Sequence, residues 1–273
     1  MEVFLNMKGI LILGVLVICI LIYNYIQISK FYVNKIVLYS TKISKELRIT
    51  QISDYHANYR IDKEKLLNDI KKFNPHIIVL TGDLIDSRTK NIEPTLDFIK
   101  SIMAINKNIF YVNGNHELNC IFGDKFISSL EIMGVNVLVN TGETIDINGE
   151  RINICGVSFY TTKKEYEDSL KHIDEQNYTI LLSHSPNRPI YYMTGKEDLI
   201  ICGHTHGGQV RLPFIGAIIA PGQGYFPKYD KGIFELGNNT ILYIDSGLGN
   251  SVFPIRAFNR IQISNITIKG NNN

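Results

Sequence analysis

The chain has 273 residues, 45% of them apolar, enough for one large domain or two small ones with a sizeable core. A formal net charge of +2 excludes strong electrostatic attraction to nucleic acid, so no nucleic-acid partner is expected. Four cysteines (Cys19, Cys120, Cys155 and Cys202) have neither CxxC spacing nor disulfide-framework density, and Cys155 and Cys202 read as buried reduced thiols.

Residues 9–28 (GILILGVLVICILIYNYIQI) form an uncharged run between Lys8 and Lys30. About 20 such residues span a bilayer as a helix. No small-residue cleavage site follows, so an uncleaved single-pass membrane anchor is expected rather than a signal peptide. Lys30, Lys35, Lys42 and Lys45 follow the span and by the positive-inside bias would hold the domain in the cytoplasm. Long domains translocate largely regardless of charge, and the short tail before the span suits an exported signal anchor. The reading leans slightly to the extracytoplasmic side.

Residues 29–45 are read as a connector, with a short strand suggested by alternation at Ile36, Leu38 and Ser40, and 46–268 as one domain. Within it strand and helix alternate. Strands are predicted at 47–53, 76–80 and 109–112, and helices at 62–73 and 93–105, the second with Pro94 in its first turn. The second half is richer in strands, at 135–139, 144–147, 151–157, 178–182, 199–202, 232–236 and 240–244, with a helix at 163–173. Asn148-Gly149 and Gly237-Asn238-Asn239 read as hairpin turns, and the Asn-rich end 270–273 as frayed.

Five polar motifs stand out: Asp54-Tyr55-His56, Gly82-Asp83-Leu84-Ile85-Asp86, Gly114-Asn115-His116-Glu117, a lone His184, and Gly203-His204-Thr205-His206. They take five of the seven histidines; only His76 and His172 lie outside. Each follows the carboxyl end of an apolar strand, the edge where open α/β sheets bind ligands. Singly they are weak signals. Asp-x-His arises by chance, Gly-Asp and Gly-Asn are often only turns, and a lone histidine is more often a satisfied core residue. Together they supply imidazole, carboxylate and amide donors suited to Mn²⁺, Fe²⁺ or Zn²⁺, and the absence of cysteine argues against a closed structural zinc site. Asp83 can bridge two cations about 3.5–4 Å apart, which together hold a hydroxide and clamp a phosphate. His116 directly follows Asn115 and would point to another side of the site, where it can protonate a leaving oxygen, with Asp86 orienting its other nitrogen.

In these motifs, over residues 46 to 268, the chain resembles the calcineurin-like metallophosphoesterase superfamily. The resemblance implies a four-layer α/β/β/α sandwich of two mixed sheets. It also implies one metal on Asp54, His56 and His206, a second on Asn115, His184 and His204, and Asp83 between them. His116 would be the catalytic non-ligand, paired with Asp86. The segment 203–210 (GHTHGGQV), with 247–251 and Arg256, resembles a bacterial membrane-associated group that includes UDP-2,3-diacylglucosamine pyrophosphatase-like enzymes. Protein serine/threonine phosphatases carry Asp-Arg-Gly where this chain has Asp86-Ser87-Arg88, which argues against a phosphoprotein substrate. Glu117 replaces the usual aspartate of its motif.

The expected function is a membrane-anchored, dinuclear-metal hydrolase of phosphodiester or pyrophosphate bonds, its substrate lipid- or nucleotide-linked. Metal-bridging hydroxide would attack phosphorus in line, with His116 assisting. A phosphomonoesterase is the nearest alternative, and a non-catalytic scaffold the alternative from another class. The apolar segment 212–221 (LPFIGAIIAP) either contacts lipid or packs on the domain as a strand or lid.

Overall fold

The computed structural model describes residues 2–250 and 253–271, with side chains from residue 7 onward. Ser251, the last residue of the 247–251 motif, and the terminal Asn272 and Asn273 lie outside the described residues.

The chain opens with helix α1 (Glu2–Ser29). Its stretch Met7–Ser29 has mean hydropathy 2.6 and is long and apolar enough to cross a membrane; most of it stands free of the rest of the protein, and only its last turns, from Tyr23, touch the domain. Strand β1 (Tyr32–Ser40) follows within the expected connector and lies at a sheet edge. Then come β2 (Leu47–Ile52), α2 (Lys63–Phe73), β3 (Ile77–Leu80), α3 (Glu93–Met103), β4 (Ile109–Tyr111), α4 (Asn115–Leu118), α5 (Gly123–Met133) and β5 (Asn136–Val137). The second half runs β6 (Thr141–Ile147), β7 (Glu150–Val157), α6 (Lys163–Ser169), β8 (Tyr178–Ser183), α7 (Asn187–Tyr192) and β9 (Leu199–Cys202). Four two-residue strands follow, β10 (Arg211–Leu212), β11 (Gly216–Ala217), β12 (Ile219–Ala220) and β13 (Gly224–Tyr225). The last strands are β14 (Gly232–Glu235), β15 (Ile241–Ile244) and β16 (Gln262–Gly270).

Two six-stranded mixed sheets result, ordered β1-β16-β2-β3-β4-β5 and β14-β15-β9-β8-β7-β6. Three apolar layers hold them. Leu47, Ile49, Ile77 and Val79 of the first sheet meet Ile152, Ile154, Ile180, Leu182 and Ile201 of the second in the central layer. Strands buried on both faces read as near-continuous apolar runs, as β3 and β8 do. Helices α2, α3 and α5 cover the outer face of the first sheet through Leu66, Ile70, Ile99, Phe126 and Leu130. Tyr166 and Leu170, in and just after α6, cover Cys155, Leu181 and Cys202 on the outer face of the second. This is the expected α/β/β/α sandwich.

Capping explains where helices begin and end. The Asp62 side chain accepts the Lys65 N–H at 2.9 Å to start α2, and Asn74 closes it in the left-handed region. Both expected hairpins form, across Asn148-Gly149 and across 237–239. The expected strand at 135–139 shortens to the two residues of β5, paired only with β4 at the sheet edge. The 163–173 helix stops at Ser169, giving way to turns. Segment 212–221 is neither a buried strand nor a closed lid. It lies in small exposed ribbons that bury little beyond Ala217 and Ala220.

Candidate metal centre

The five motifs occupy the carboxyl ends of five strands, β2, β3 and β4 from one sheet and β8 and β9 from the other. The parallel pairings β2–β3–β4 and β7–β8–β9 bring those ends into one crevice. The chain turns abruptly to present them. Asp54, His56, Asp83, His204 and His206 all have positive φ, between 45° and 71°. Non-glycine residues rarely adopt this region, and such strain collects at functional sites. Gly203 has a different role: a Cβ there would collide with the Ser53 hydroxyl and the Asp54 carboxylate.

Two donor sets converge. Asp54, His56 and His206 offer ligand atoms within 4.8 Å of one another, as do Asp83, His184 and His204. In the first set His206 Nε2 is 3.5 Å from Asp54 Oδ1, and the rings of His56 and His206 stack at 5.1 Å. In the second, His184 Nε2 is 3.0 Å from Asp83 Oδ2 and 3.1 Å from His204 Nδ1. Asp83 joins them, its Oδ2 also lying 3.7 Å from His56 Nε2. Thr81 orients one ring: its carbonyl accepts the N–H of His184 Nδ1 at 2.7 Å, so Nε2 is the nitrogen turned toward the crevice.

The residues fit divalent cations on two observations. Both ring nitrogens of His56 and Oδ1 of Asn115 are buried without a hydrogen-bond partner, whereas buried polar atoms are normally paired. Burial also keeps imidazoles neutral, the form that binds metal. Desolvation, reinforced by neighbouring histidines against the opposing pull of Asp83, lowers His56 to about 4 and His204 to about 3, and holds His206 well below its ordinary range. Burial likewise raises Asp54 to about 7, reinforced by Asp83. Asp83 and His184 form the exception as a buried ion pair. Burial opposes both charges, yet the pairing holds Asp83 well below the usual carboxylate range and raises His184 to about 10.

His116 stands beside both sets. Its ring meets His56 edge-on at 4.6 Å, and its Nε2 is 4.0 Å from Asp83 Oδ2. Its Nδ1 accepts the Ser87 backbone N–H at 3.0 Å, so the neutral ring carries its proton on Nε2. Asp86 is less direct than the sequence suggested. Its Oδ2 is 3.7 Å from His116 Nδ1, beyond hydrogen-bond reach, because Arg88 holds the carboxylate with its own N–H and guanidinium. Asp86 therefore faces the His116 ring without bonding it, and the Ser87 amide holds Nδ1.

Several supporting residues were not legible in the sequence. Glu117, read there only as a replaced aspartate, accepts the backbone N–H groups of Asp83, Leu84, Ile85 and Gly114 at 2.6 to 3.2 Å, tying two motif loops together. Arg256, 1% exposed, donates through Nη2 to the Ser246 and Gly249 carbonyls and lies 3.2 Å from His206 Nδ1. Asn259 donates to the His206 carbonyl at 2.6 Å. Phe159 packs on His204 and His184 at 5.3 and 5.9 Å. Glu117 lies within a motif and Arg256 enters only through the resemblance, so the sequence reveals the supporting role of neither, and no spacing rule connects Phe159 or Asn259 to the motifs. His76 lies away from the crevice, accepting the Arg48 N–H. An open cleft of about 390 Å³ leads out past His56 and Asp86, between Arg60 and Arg88, to Asn250 and Pro254.

Comparison with known proteins agrees with this geometry. The family model for calcineurin-like phosphoesterase matches residues 47–208. The uncharacterized metallophosphoesterase YkuE of Bacillus subtilis is 30% identical over 233 residues, covering 82% of this chain and 80% of its own. An uncharacterized metallophosphoesterase of Aquifex aeolicus is 30% identical over 269 residues, covering 92% and 97%. Among solved structures, the NAD nucleotidase NadN of Haemophilus influenzae matches with a TM-score of 0.51 at 19% identity, over 75% of this chain and 45% of its own, a likeness of fold.

Proposed function

The chain belongs to the calcineurin-like phosphoesterase family, and from that premise we propose a membrane-anchored hydrolase that uses two divalent metal ions to cleave phosphodiester or pyrophosphate bonds. The carrying observation is the convergence of two donor sets on Asp83, with His116 beside them. In this reading Asp54, His56 and His206 hold one ion, Asn115, His184 and His204 hold the other, and Asp83 bridges. When bound, the pair supplies Lewis acidity at phosphoryl oxygens and a water acidic enough to attack phosphorus near neutral pH.

The protein's own groups do the rest. Thr81 holds His184 with Nε2 toward the crevice, and Glu117 fixes the loops that carry Asp83 and Asn115. His116, its Nδ1 held by the Ser87 N–H, presents its Nε2–H to the departing oxygen and stabilises by hydrogen bonding the charge that develops there. The cleft beside Asp86 gives a second phosphorus substituent room, with Arg60 and Arg88 along it, which supports a diester or pyrophosphate over a monoester. Helix α1 supports anchoring, and Pro254, which lines the cleft and accepts from Asn24 of α1, supports a substrate presented near the membrane.

The test compares bis-p-nitrophenyl phosphate with p-nitrophenyl phosphate, using the detergent-solubilised full chain loaded with Mn²⁺. Faster diester turnover, abolished by EDTA, is expected. Faster monoester turnover replaces the proposal with a phosphomonoesterase, and bound metal with neither activity favours a scaffold.

A further inference from the structure

The segments beyond His206 leave large apolar side chains in water. Phe214 is fully exposed, and Ile215, Phe253, Ile255 and Phe258 are each more than half exposed. The first two sit on the loop joining β10 to β11 and the others on the segment before β16. Backbone bonds join the two segments, Arg211 N–H to the Ala257 carbonyl at 3.0 Å and Ala257 N–H to the Gln209 carbonyl at 3.2 Å. Phe214, Ile215 and Phe258 line one shallow depression. Arg211, Lys228 and Asp230 also line that depression, and soluble surfaces rarely leave so many large apolar side chains exposed on two adjoining segments without a partner.

Helix α1 indicates what that partner is. The Phe258 N–H donates to Tyr23 Oη at 2.8 Å, with the two rings 6.0 Å apart. Asn24 Nδ2 donates to the Pro254 carbonyl at 3.1 Å, and the Asn259 N–H donates to Gln27 Oε1 at 3.2 Å. These bonds set the depth of the patch. About 20 residues cross the hydrocarbon, so a span beginning at Met7 reaches Ile26. Tyr23 lies six residues before the end of α1, about 9 Å along its axis. Whatever docks on Tyr23 and Asn24 is therefore level with the membrane interface, where aromatic side chains collect.

We propose that this patch is a second membrane contact, with Phe214, Ile215, Phe253, Ile255 and Phe258 entering the lipid headgroup and upper acyl region beside α1. It rests on the reading of α1 as an anchor. Because Asn259 and Arg256, from the same segment, hold His206, the contact seats the metal centre against the membrane surface instead of letting it swing on a tether. The accessible substrate is then a phosphoester carried on a lipid, approached in the plane of the bilayer.

The chain contains no tryptophan, so each Trp substitution makes a unique fluorescent reporter. The full chain is reconstituted into phosphatidylcholine–phosphatidylglycerol vesicles, with or without brominated acyl chains, carrying Phe214→Trp, Phe258→Trp, Ile18→Trp within α1, or Tyr39→Trp. Tyr39 is exposed on β1, seven residues and about 23 Å beyond the start of that strand. Brominated lipid is expected to quench at least half of the emission at positions 214, 258 and 18, and little at 39. Quenching at 18 but not at 214 or 258 overturns the second contact and leaves the anchor standing. Quenching at none of the three overturns the anchor and the contact with it. Reporters at 214 and 258 shielded from aqueous iodide yet unquenched by brominated lipid also overturn it, in favour of a protein surface such as a second copy.

Discussion

At the scale of single residues, the centre departs from what each side chain would choose alone. Five motif residues hold left-handed backbone conformations, and His56 and Asn115 have buried polar atoms with no partner. Either feature destabilises a folded chain unless something is gained in return. A cation bound between the donor sets recovers it, so bound metal should contribute to stability as well as chemistry. The roles of Asp83 and His116 then separate. Asp83 touches both sets, while His116 is held by the Ser87 amide outside them. Asp83→Asn is expected to weaken both ions and abolish turnover. His116→Ala is expected to keep both ions and lose roughly 10²- to 10⁴-fold in rate. Metal content by inductively coupled plasma mass spectrometry, beside turnover, checks the pair. Loss of metal from His116→Ala would make this histidine a ligand and remove its role beside the departing oxygen.

At the scale of elements, the strands that carry the motifs were legible because burial on both faces gives short apolar runs, as in β3, β8 and β9. Strand β16 was not, although it lies between β1 and β2. Its Gln262, Ser264 and Asn265 are buried, bonded to Asp245, Tyr243 and Thr50, so polar letters stand where a core strand would be apolar. Apolar content misled in the opposite sense at 212–221, where exposed ribbons read as a possible core strand. The Asp and His residues that converge in the crevice were legible because each motif is contiguous. Their supports, Glu117, Arg256 and Phe159, act through contacts that depend on the assembled fold. Close approach of strand ends is itself testable. Gly203→Ala places a methyl group against Ser53 and Asp54, while Gly237→Ala meets nothing within 4 Å. The first is expected to lose metal at the Asp54, His56 and His206 set, with overpacking costing about 1–3 kcal/mol. The second should leave metal content and melting temperature unchanged. Full metal occupancy in Gly203→Ala would show that Asp54 tolerates displacement.

At the scale of the whole molecule, an apolar layer joins the two sheets over most of their area and a polar seam joins them near α1. Lys231, just before β14, donates to Tyr32 Oη of β1 at 2.9 Å. Tyr32 bonds Gln262 of β16, and Gln262 donates to Asp245, just past β15, at 2.8 Å. The seam therefore links the edge strand that follows helix α1 to both sheets. It includes a largely buried ammonium, and desolvation lowers Lys231 from 10.5 to about 8 against the opposing pull of Asp245. Between those two values the unfolded chain holds more protons than the folded one, so the Lys231 contribution to stability rises with pH across that interval. Below pH 8 the buried charge costs on the order of 2–3 kcal/mol after allowance for residual solvent access. Above pH 10 the opposite linkage sets in. Burial raises Tyr32 to about 12, so the folded chain keeps a proton that the unfolded one releases. Other groups, His184 among them, are also linked to folding between pH 8 and 10, so the lysine is isolated by subtracting a variant that lacks it. The melting temperature of the full chain in detergent, minus that of Lys231→Met, is expected to increase steadily from pH 8 to pH 10. A difference that stays level would mean that Lys231 keeps its ordinary titration and that water reaches the seam.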